Sequence, residues 1–323
     1  FIHLRLHTEF SISDGLVTIP ALISRLQQLH MPAVAITDVS NLFGLIKFYS
    51  GAVKSGIKPI CGVDVLVENE EGVRSRIVLL VKNRTGYLNL TNIISKLYTD
   101  SETHGEPVLA IDSFSGVLEG LIALSGAQHG DIGSALLGDD FEQAKSLLSK
   151  WQILFPDSFY LELQRVGKAD EEAYIERAVN LAIETQCPVV ATNDVRFIDQ
   201  EDFDAHEVRV CINERRTLDD SRRPHKYTEQ QYLKSSAEMA GLFEDIPEAI
   251  ENAYEIVKRC NLGLDLGTPH LPNYPAPKDV TLDDYLCQLS EEGLAKRLKQ
   301  LFGDEANNKE KISPYVERLQ IEL

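Results

Sequence analysis

The first two hundred residues alternate short apolar runs with amphipathic helical stretches, and few architectures accept that alternation. The runs are IHLRLH (2–7), AVAIT (33–37), ICGVDVLV (60–67), RIVLLV (76–81), LIALS (121–125), FYLELQ (159–164) and VVAT (189–192). Between them, residues 17–30, 42–56, 87–99 and 171–185 repeat apolar side chains at i, i+3, i+4 and i+7, which predicts helices. Alternating strands and helices imply a parallel sheet. Strands that are apolar almost throughout imply cover on both faces. Seven strands over this length fit a closed barrel or an open doubly wound sheet, and periodicity does not choose between them. Helix starts are expected at Asp14-Gly15, Ser40-Asn41 and Asn83 to Gly86.

Beyond residue 196 the strand signal fades. Helical patterns continue over 202–213 and 235–262. The stretch 263–280, with four prolines and two glycines, reads as a linker, and 282–302 is a strongly amphipathic helix. A boundary is placed near residue 265: one domain of about 265 residues, then a linker and the opening of a second domain over 266–323. The chain of 323 residues does not start with Met, and SPYVERLQIEL breaks off inside a helical pattern, so a piece of a longer protein is expected.

With 32 basic and 50 acidic residues the net charge is −18. That balance argues against holding DNA or RNA by charge alone, since phosphate affinity rests on Lys and Arg. The five cysteines are scattered, with no C-x-x-C pair, which suits a reducing cytoplasm. No apolar stretch approaches a membrane span, and FIHLRLHTEF has neither the charged-then-apolar layout nor the cleavage site of a signal peptide.

In a parallel α/β fold, chemistry gathers where strands end. His7 and Asp14 follow the first run, Asp38 the second, Asp64 interrupts the third, and Asn193-Asp194 follows the seventh. Carboxylates with an imidazole suit a divalent metal such as Mg²⁺, Mn²⁺ or Zn²⁺, while such Asp residues also cap helices and close turns. Arg5, Arg76 and Arg196 lie on or beside the same strands. By the period of two, Arg5 shares the inward face with His3 and His7. A guanidinium has no lone pair for a metal but pairs well with carboxylates. The expectation is a rim where arginines stand in for metal ions, within hydrogen-bonding distance of the carboxylates, as a salt-bridge cluster or an anion site.

The segments FIHLRLHTEFSISDG, AITDVSNLFGLIKFY, GIKPICGVDV, RTGYLNL, LIALSG, VVATNDVRF and DFDAHEV, in that order, closely resemble the PHP (polymerase and histidinol phosphatase) domain. They are most similar to the version that opens the alpha subunits of bacterial replicative DNA polymerase III. The resemblance runs from residue 1 to about 265, and 266–323 resembles the start of a polymerase palm region. It implies a distorted (β/α)7 barrel with a C-terminal helical and extended segment. In metal-binding members, nine side chains on one rim hold up to three metals. Here His7, Asp14 and Asp194 match family ligands, and Asp64 stands one methylene short of the family's Glu. Five ligand positions are replaced, by Arg5, Val39, Arg76, Ala127 and Arg196. The resemblance therefore implies a vestigial site, with at most one weak Mg²⁺ or Mn²⁺ at the rim. It further implies a scaffold that supports the polymerase core and docks the epsilon proofreading exonuclease subunit. The parent alpha chain would synthesise DNA with Mg²⁺ held elsewhere and contact DNA through other domains. The rival expectation is an active phosphoesterase, a 3′–5′ exonuclease or pyrophosphatase working through metal-activated water.

Other candidates carry less. His30, His104, His129, His225 and His270 have no ligand-spaced partner and read as surface or core residues standing apart from the rim. His3 reads as a packing residue, and His206 as a helix residue near the rim. The loop 214–227 gathers Arg215, Arg216, Arg222, Arg223 and Lys226, the best candidate for an anion or DNA contact, diluted by Asp219 and Asp220. Glycine-rich phosphate loops and nucleophile elbows are absent.

Overall fold

The computed structural model describes residues 1–99, 107–114, 118–220, 222–269 and 271–323; His104 and His270 lie outside them. The chain divides into two compact units, Phe1–Leu264 and Asp265–Leu323.

The first unit is an α/β fold in which a curled seven-stranded sheet forms a distorted barrel. In chain order it comprises α1 (Ile19–Gln28), β1 (Ala33–Ile36), α2 (Leu45–Lys54), β2 (Lys58–Glu68), β3 (Arg74–Val81), α3 (Arg84–Thr99) and β4 (Leu109–Ala110). Next come β5 (Leu121–Leu124), α4 (Asp131–Leu137), α5 (Phe141–Leu154), β6 (Phe159–Gln164), α6 (Glu171–Thr185) and β7 (Val189–Thr192). Three helices follow, α7 (Phe203–Glu214), α8 (Ser236–Leu242) and α9 (Pro247–Arg259). The strand order is β1-β2-β3-β5-β6-β7, with β4 beside β2.

The sheet is mixed, which corrects the expectation of a parallel one. β3 runs antiparallel to both β2 and β5. The cause is local: only residues 69–73 join β2 to β3, too few for a crossover. The Asn69 carboxamide accepts from Val73 N at 2.8 Å, and Gly72 takes a φ of +77°, so the chain reverses as a hairpin. Arg76 thereby reaches the end of the barrel where β2 finishes, although it lies early in its own strand.

Residues 2–8 are not a regular strand either. They lie between β1 and the segment after β7: Ala35 N donates to His3 O and Thr37 N to Leu6 O, while His7 N donates to Val195 O. The two acceptors, His3 and Leu6, are three positions apart whereas their donors, Ala35 and Thr37, are two apart, so the segment is bulged. Ile2 and Leu4 pack inside the barrel with Val78, Leu80, Ile122, Leu124, Tyr160 and Val190. Past the bulge, Arg5 and His7 face the carboxylates instead. His3 bonds the carbonyl of Lys234 at 2.8 Å and leaves the face that a period of two assigned to it.

The interior therefore has two layers. The apolar one is closed by Ala253, Ile256 and Val257 of α9. Above it lies a polar one. Asp64 sits opposite Val78, and Arg76 opposite Leu66, in the β2–β3 register. Alternation along β6 puts Glu162 on the face of Tyr160. The outer faces of the strands bury a larger core against α3 to α6, and a smaller one against α1 and α2.

The helical segment 235–262 breaks into α8 and α9, because Pro247 starts a helix well and cannot continue one. Two expected helix starts differ. α1 begins at Ile19, leaving Asp14 for the site, and Asn41 forms a turn with Phe43 N (3.0 Å) ahead of α2. At the third start, Asn83 accepts from Gly86 N at 3.0 Å.

The second unit holds α10 (Leu282–Phe302) and α11 (Lys309–Glu322). Thr281 caps α10 by accepting from Asp284 N at 3.1 Å, and Phe302 meets Tyr315 edge to face. No helix among the described residues is long and apolar enough to cross a membrane.

Candidate functional site

The polar layer is a closed ion-pair network. Arg5, 1% exposed, bonds three carboxylates from three strands or strand ends. Its Nη2 lies 2.7 Å from Asp64 Oδ2, its Nη1 3.1 Å from Glu162 Oε2, and its Nε 3.0 Å from Asp194 Oδ1. The last contact is a Coulombic pairing without hydrogen-bond alignment. Against the pull of burial, these three carboxylates raise the Arg5 pKa further above its ordinary range.

Arg196 works alongside it. Its Nη1 lies 2.5 Å from Asp14 Oδ2 and its Nη2 2.6 Å from Asp194 Oδ1. It also touches His7 Nδ1 and lies over the Tyr227 ring. Arg76, half-buried, places Nη1 3.3 Å from Asp64 Oδ1. His7 meets Asp14 through Nδ1 (3.1 Å) and Asp64 through Nε2 (3.2 Å). Asp194 also receives Gln231 Nε2 at 2.7 Å, and Lys168 Nζ stands 3.8 Å away. Burial pushes the Asp14 carboxyl up to about 7, with Arg76 opposing the rise and Asp194 and Asp64 adding to it. Burial likewise lowers the Arg196 pKa.

This donor set does not fit a divalent cation. Every carboxylate in it meets a guanidinium, and both ring nitrogens of His7 face carboxylates. A metal would have to displace permanent cations that have nowhere to go. Among the described residues no group of three or more His, Cys, Asp or Glu side chains is disposed to hold a metal.

The network thus brings together His7, Asp14, Asp64 and Asp194 with Arg5, Arg76 and Arg196. Val39 bridges to Asp64 through its backbone, and Ala127 is buried in a short helical turn. Asp38 stands apart: it accepts from Thr8 N (2.6 Å), Thr8 Oγ1 and Ser11 Oγ, and so fastens the loop after the first segment. Sequence reasoning missed Glu162, although a Glu inside the run FYLELQ is a visible interruption. It also missed Gln164, which donates to Glu162 Oε1 at 2.9 Å, and Thr192, which donates to the same oxygen. Tyr227, which donates to Asp14 Oδ2 at 3.2 Å, gave no signal.

An open cleft of about 1070 Å³ lies over the network. His129 and His225 line it, a correction to their reading as residues apart from the rim. His206 is buried and bonds the Asp14 carbonyl at 2.9 Å. The basic loop is neutralised by its neighbours. Arg216 and Arg222 pair with Asp220, Arg223 is buried against Glu207, and Lys226 pairs with Glu214 at 2.6 Å. Arg215 closes α7 and is exposed.

The family model of the PHP domain matches residues 3–166. Over the whole chain, the DNA polymerase III subunit alpha of Pseudomonas aeruginosa is 51% identical, that of Vibrio cholerae 46% and that of Escherichia coli K12 45%. The chain spans 28% of the length of each. Among solved structures, an amidohydrolase from Chromobacterium violaceum superposes with a TM-score of 0.43 at 15% identity, over 64% of this chain and 96% of that one. From the matched family model and the barrel that carries it, the chain belongs to the PHP domain family.

Proposed function

We propose that this chain is the N-terminal part of a DNA polymerase III alpha subunit, and that its barrel acts as a metal-free scaffold. The observation that carries the scaffold reading is Arg5, whose guanidinium reaches Asp64, Glu162 and Asp194 at once. It ties β2, β6 and the end of β7 together, where a metal-binding relative would use ions. In this reading residues 266–323 open the palm region, and DNA synthesis, with its Mg²⁺, belongs to the rest of the alpha chain in the cytoplasm. The barrel supports that core and docks the epsilon proofreading exonuclease.

Metal analysis of the purified chain, paired with exonuclease and pyrophosphatase assays, tests the reading. Substoichiometric metal and no hydrolysis are expected. Two or more tightly bound ions per chain, with hydrolysis lost in Asp14→Ala, would replace the scaffold with an active phosphoesterase.

A further inference from the structure

A second polar cluster lies at the base of the barrel, at the opposite end of β2 from its pairing with β4. Lys82 follows the end of β3, Ser158 precedes β6, and Arg259 ends α9. Lys82 Nζ and Arg259 Nη2 both donate to the Ser158 hydroxyl oxygen, at 3.0 and 2.8 Å, so the two nitrogens stand at most 3.0 + 2.8 = 5.8 Å apart. Arg259 also donates to Tyr160 OH at 2.8 Å and to Asp157 O at 2.7 Å. Two like charges thus share one neutral oxygen, and no carboxylate among the described residues lies within 4.0 Å of either. Glu119 acts on Lys82 from farther off and is exposed, while Asp157 gives Arg259 its carbonyl. Burial, and then Arg259, hold the Lys82 ammonium below its usual value. Lys58 at the same end is accounted for: it donates to Val257 O and Asn261 Oδ1, both at 2.8 Å, and so closes the carbonyl end of α9.

The hydroxyls carry the argument further. Ser158 and Tyr160 are 3% and 6% exposed. An ammonium or a guanidinium can only donate, so both hydroxyls serve these cations as acceptors. The hydrogen of each hydroxyl then has no acceptor among the described residues. Lys82 Nζ makes a single bond to the protein, and Arg259 Nε makes none. Charged and neutral donors are therefore gathered around Ser158 with hydrogens left unmatched, and a buried donor without a partner is costly.

We infer that the base of the barrel binds a phosphate group, with Lys82 and Arg259 offsetting its charge and Ser158 and Tyr160 donating to its oxygens. A carboxylate has one charge and two oxygens. A phosphate, with a charge of roughly −1.5 to −2 and three acceptor oxygens, answers two cations and two hydroxyls more fully. The carrier is a small molecule, because a nucleic acid would bring its remaining charges into the field of a chain at −18. Whether the rim holds metal does not bear on this end of the barrel.

Calorimetric titration of the 323-residue chain with inorganic phosphate, and in parallel with phenyl phosphate, tests it at constant ionic strength. Saturable binding is expected: tighter binding of inorganic phosphate marks the free ion as the ligand, and equal or tighter binding of phenyl phosphate marks an ester. Phosphate at about ten times its dissociation constant should raise the melting temperature by about 2–4 °C. Lys82→Gln and Arg259→Gln should weaken binding roughly tenfold or more, while Arg222→Ala should leave it intact. In phosphate-free buffer Lys82→Gln should melt no lower than the parent chain, because it relieves a repulsion and keeps a donor for Ser158. A cluster that only clamps α9 would make that variant melt lower and would give no response to phosphate. No saturable binding, equal binding by Lys82→Gln and the parent chain, or a lower melting temperature of Lys82→Gln without phosphate would each overturn the inference.

Discussion

Arg5 Nη2 lies 2.7 Å from Asp64 Oδ2, with neither side chain reaching solvent. Burying such a pair offers little net stability, but removing one member strands the other. Arg5→Met should therefore cost roughly 3–5 kcal/mol in urea unfolding, since three carboxylates lose a partner together. Arg222, 85% exposed in the basic loop, should tolerate Ala with no measurable change. Equal unfolding midpoints for the two variants would contradict the role given to Arg5.

Glu162 and Arg5 should be coupled. Thr192 and Gln164 both bond Glu162, so Glu162→Gln keeps part of its setting. A double-mutant cycle with Arg5→Met should return an interaction energy of roughly 0.5–3 kcal/mol. Additive single effects would mean that the two groups are neighbours without an energetic link.

The barrel should stand without ions. Dialysis against EDTA should leave the melting temperature where it was, and added Mg²⁺, Mn²⁺ or Zn²⁺ should not raise it, because ligands that bind the native state stabilise it. Scanning fluorimetry reads both.

Two kinds of buried group give opposite pH signatures. Burial lowers His3 and His206 to about 4 against an ordinary 6.5, so the unfolded chain takes up their protons first as pH falls. The stability they hold above 6.5 is lost as pH drops toward 4. Asp14, raised from 3.8 to about 7, acts in reverse: its share is complete below 3.8 and is lost as pH rises through 7. His3→Gln should flatten the acid limb of the stability curve, and Asp14→Asn should make stability rise more steeply with pH. Parallel curves for all three proteins would remove these groups from the account.

Backbone packing sets a fifth test. A Cβ on Gly86 would come 1.9 Å from the Gly120 carbonyl oxygen, which is backbone and cannot yield. Gly86→Ala should unfold the barrel or abolish its expression. Gly241, inside α8 with nothing near its Cβ position, should gain roughly 0.5–1 kcal/mol as Ala.

Much of this architecture was legible in the residues, because apolar period reports burial directly. The helix expected over 171–185 spans Glu171–Thr185, and that expected over 282–302 spans Leu282–Phe302. What stayed hidden depends on long-range geometry. The direction of β3 rests on a five-residue link whose Asn69 and Gly72 were present to be read as a turn. The bulge after Leu4 left no local mark, since it arises from pairing with β1 and Val195. Asp14-Gly15 resembles a helix start, and only the barrel shows why the glycine is needed: its Cβ would come 2.0 Å from Thr8 O. Glu162 was passed over because one acidic residue in an apolar run says nothing about which strands converge on it.

The closure of the barrel by its first eight residues has a consequence for synthesis. His7 bonds to Val195, His3 to Lys234, and the interior is stoppered by a helix that ends at Arg259. During synthesis residues 2–8 emerge well before Val195 and Lys234, and must wait for them before they can pair. Such a topology folds slowly and leaves the apolar segment 2–8 uncovered until residues 195–259 have been made. Chaperone demand during synthesis is thus built into the same pairing that makes the finished domain rigid.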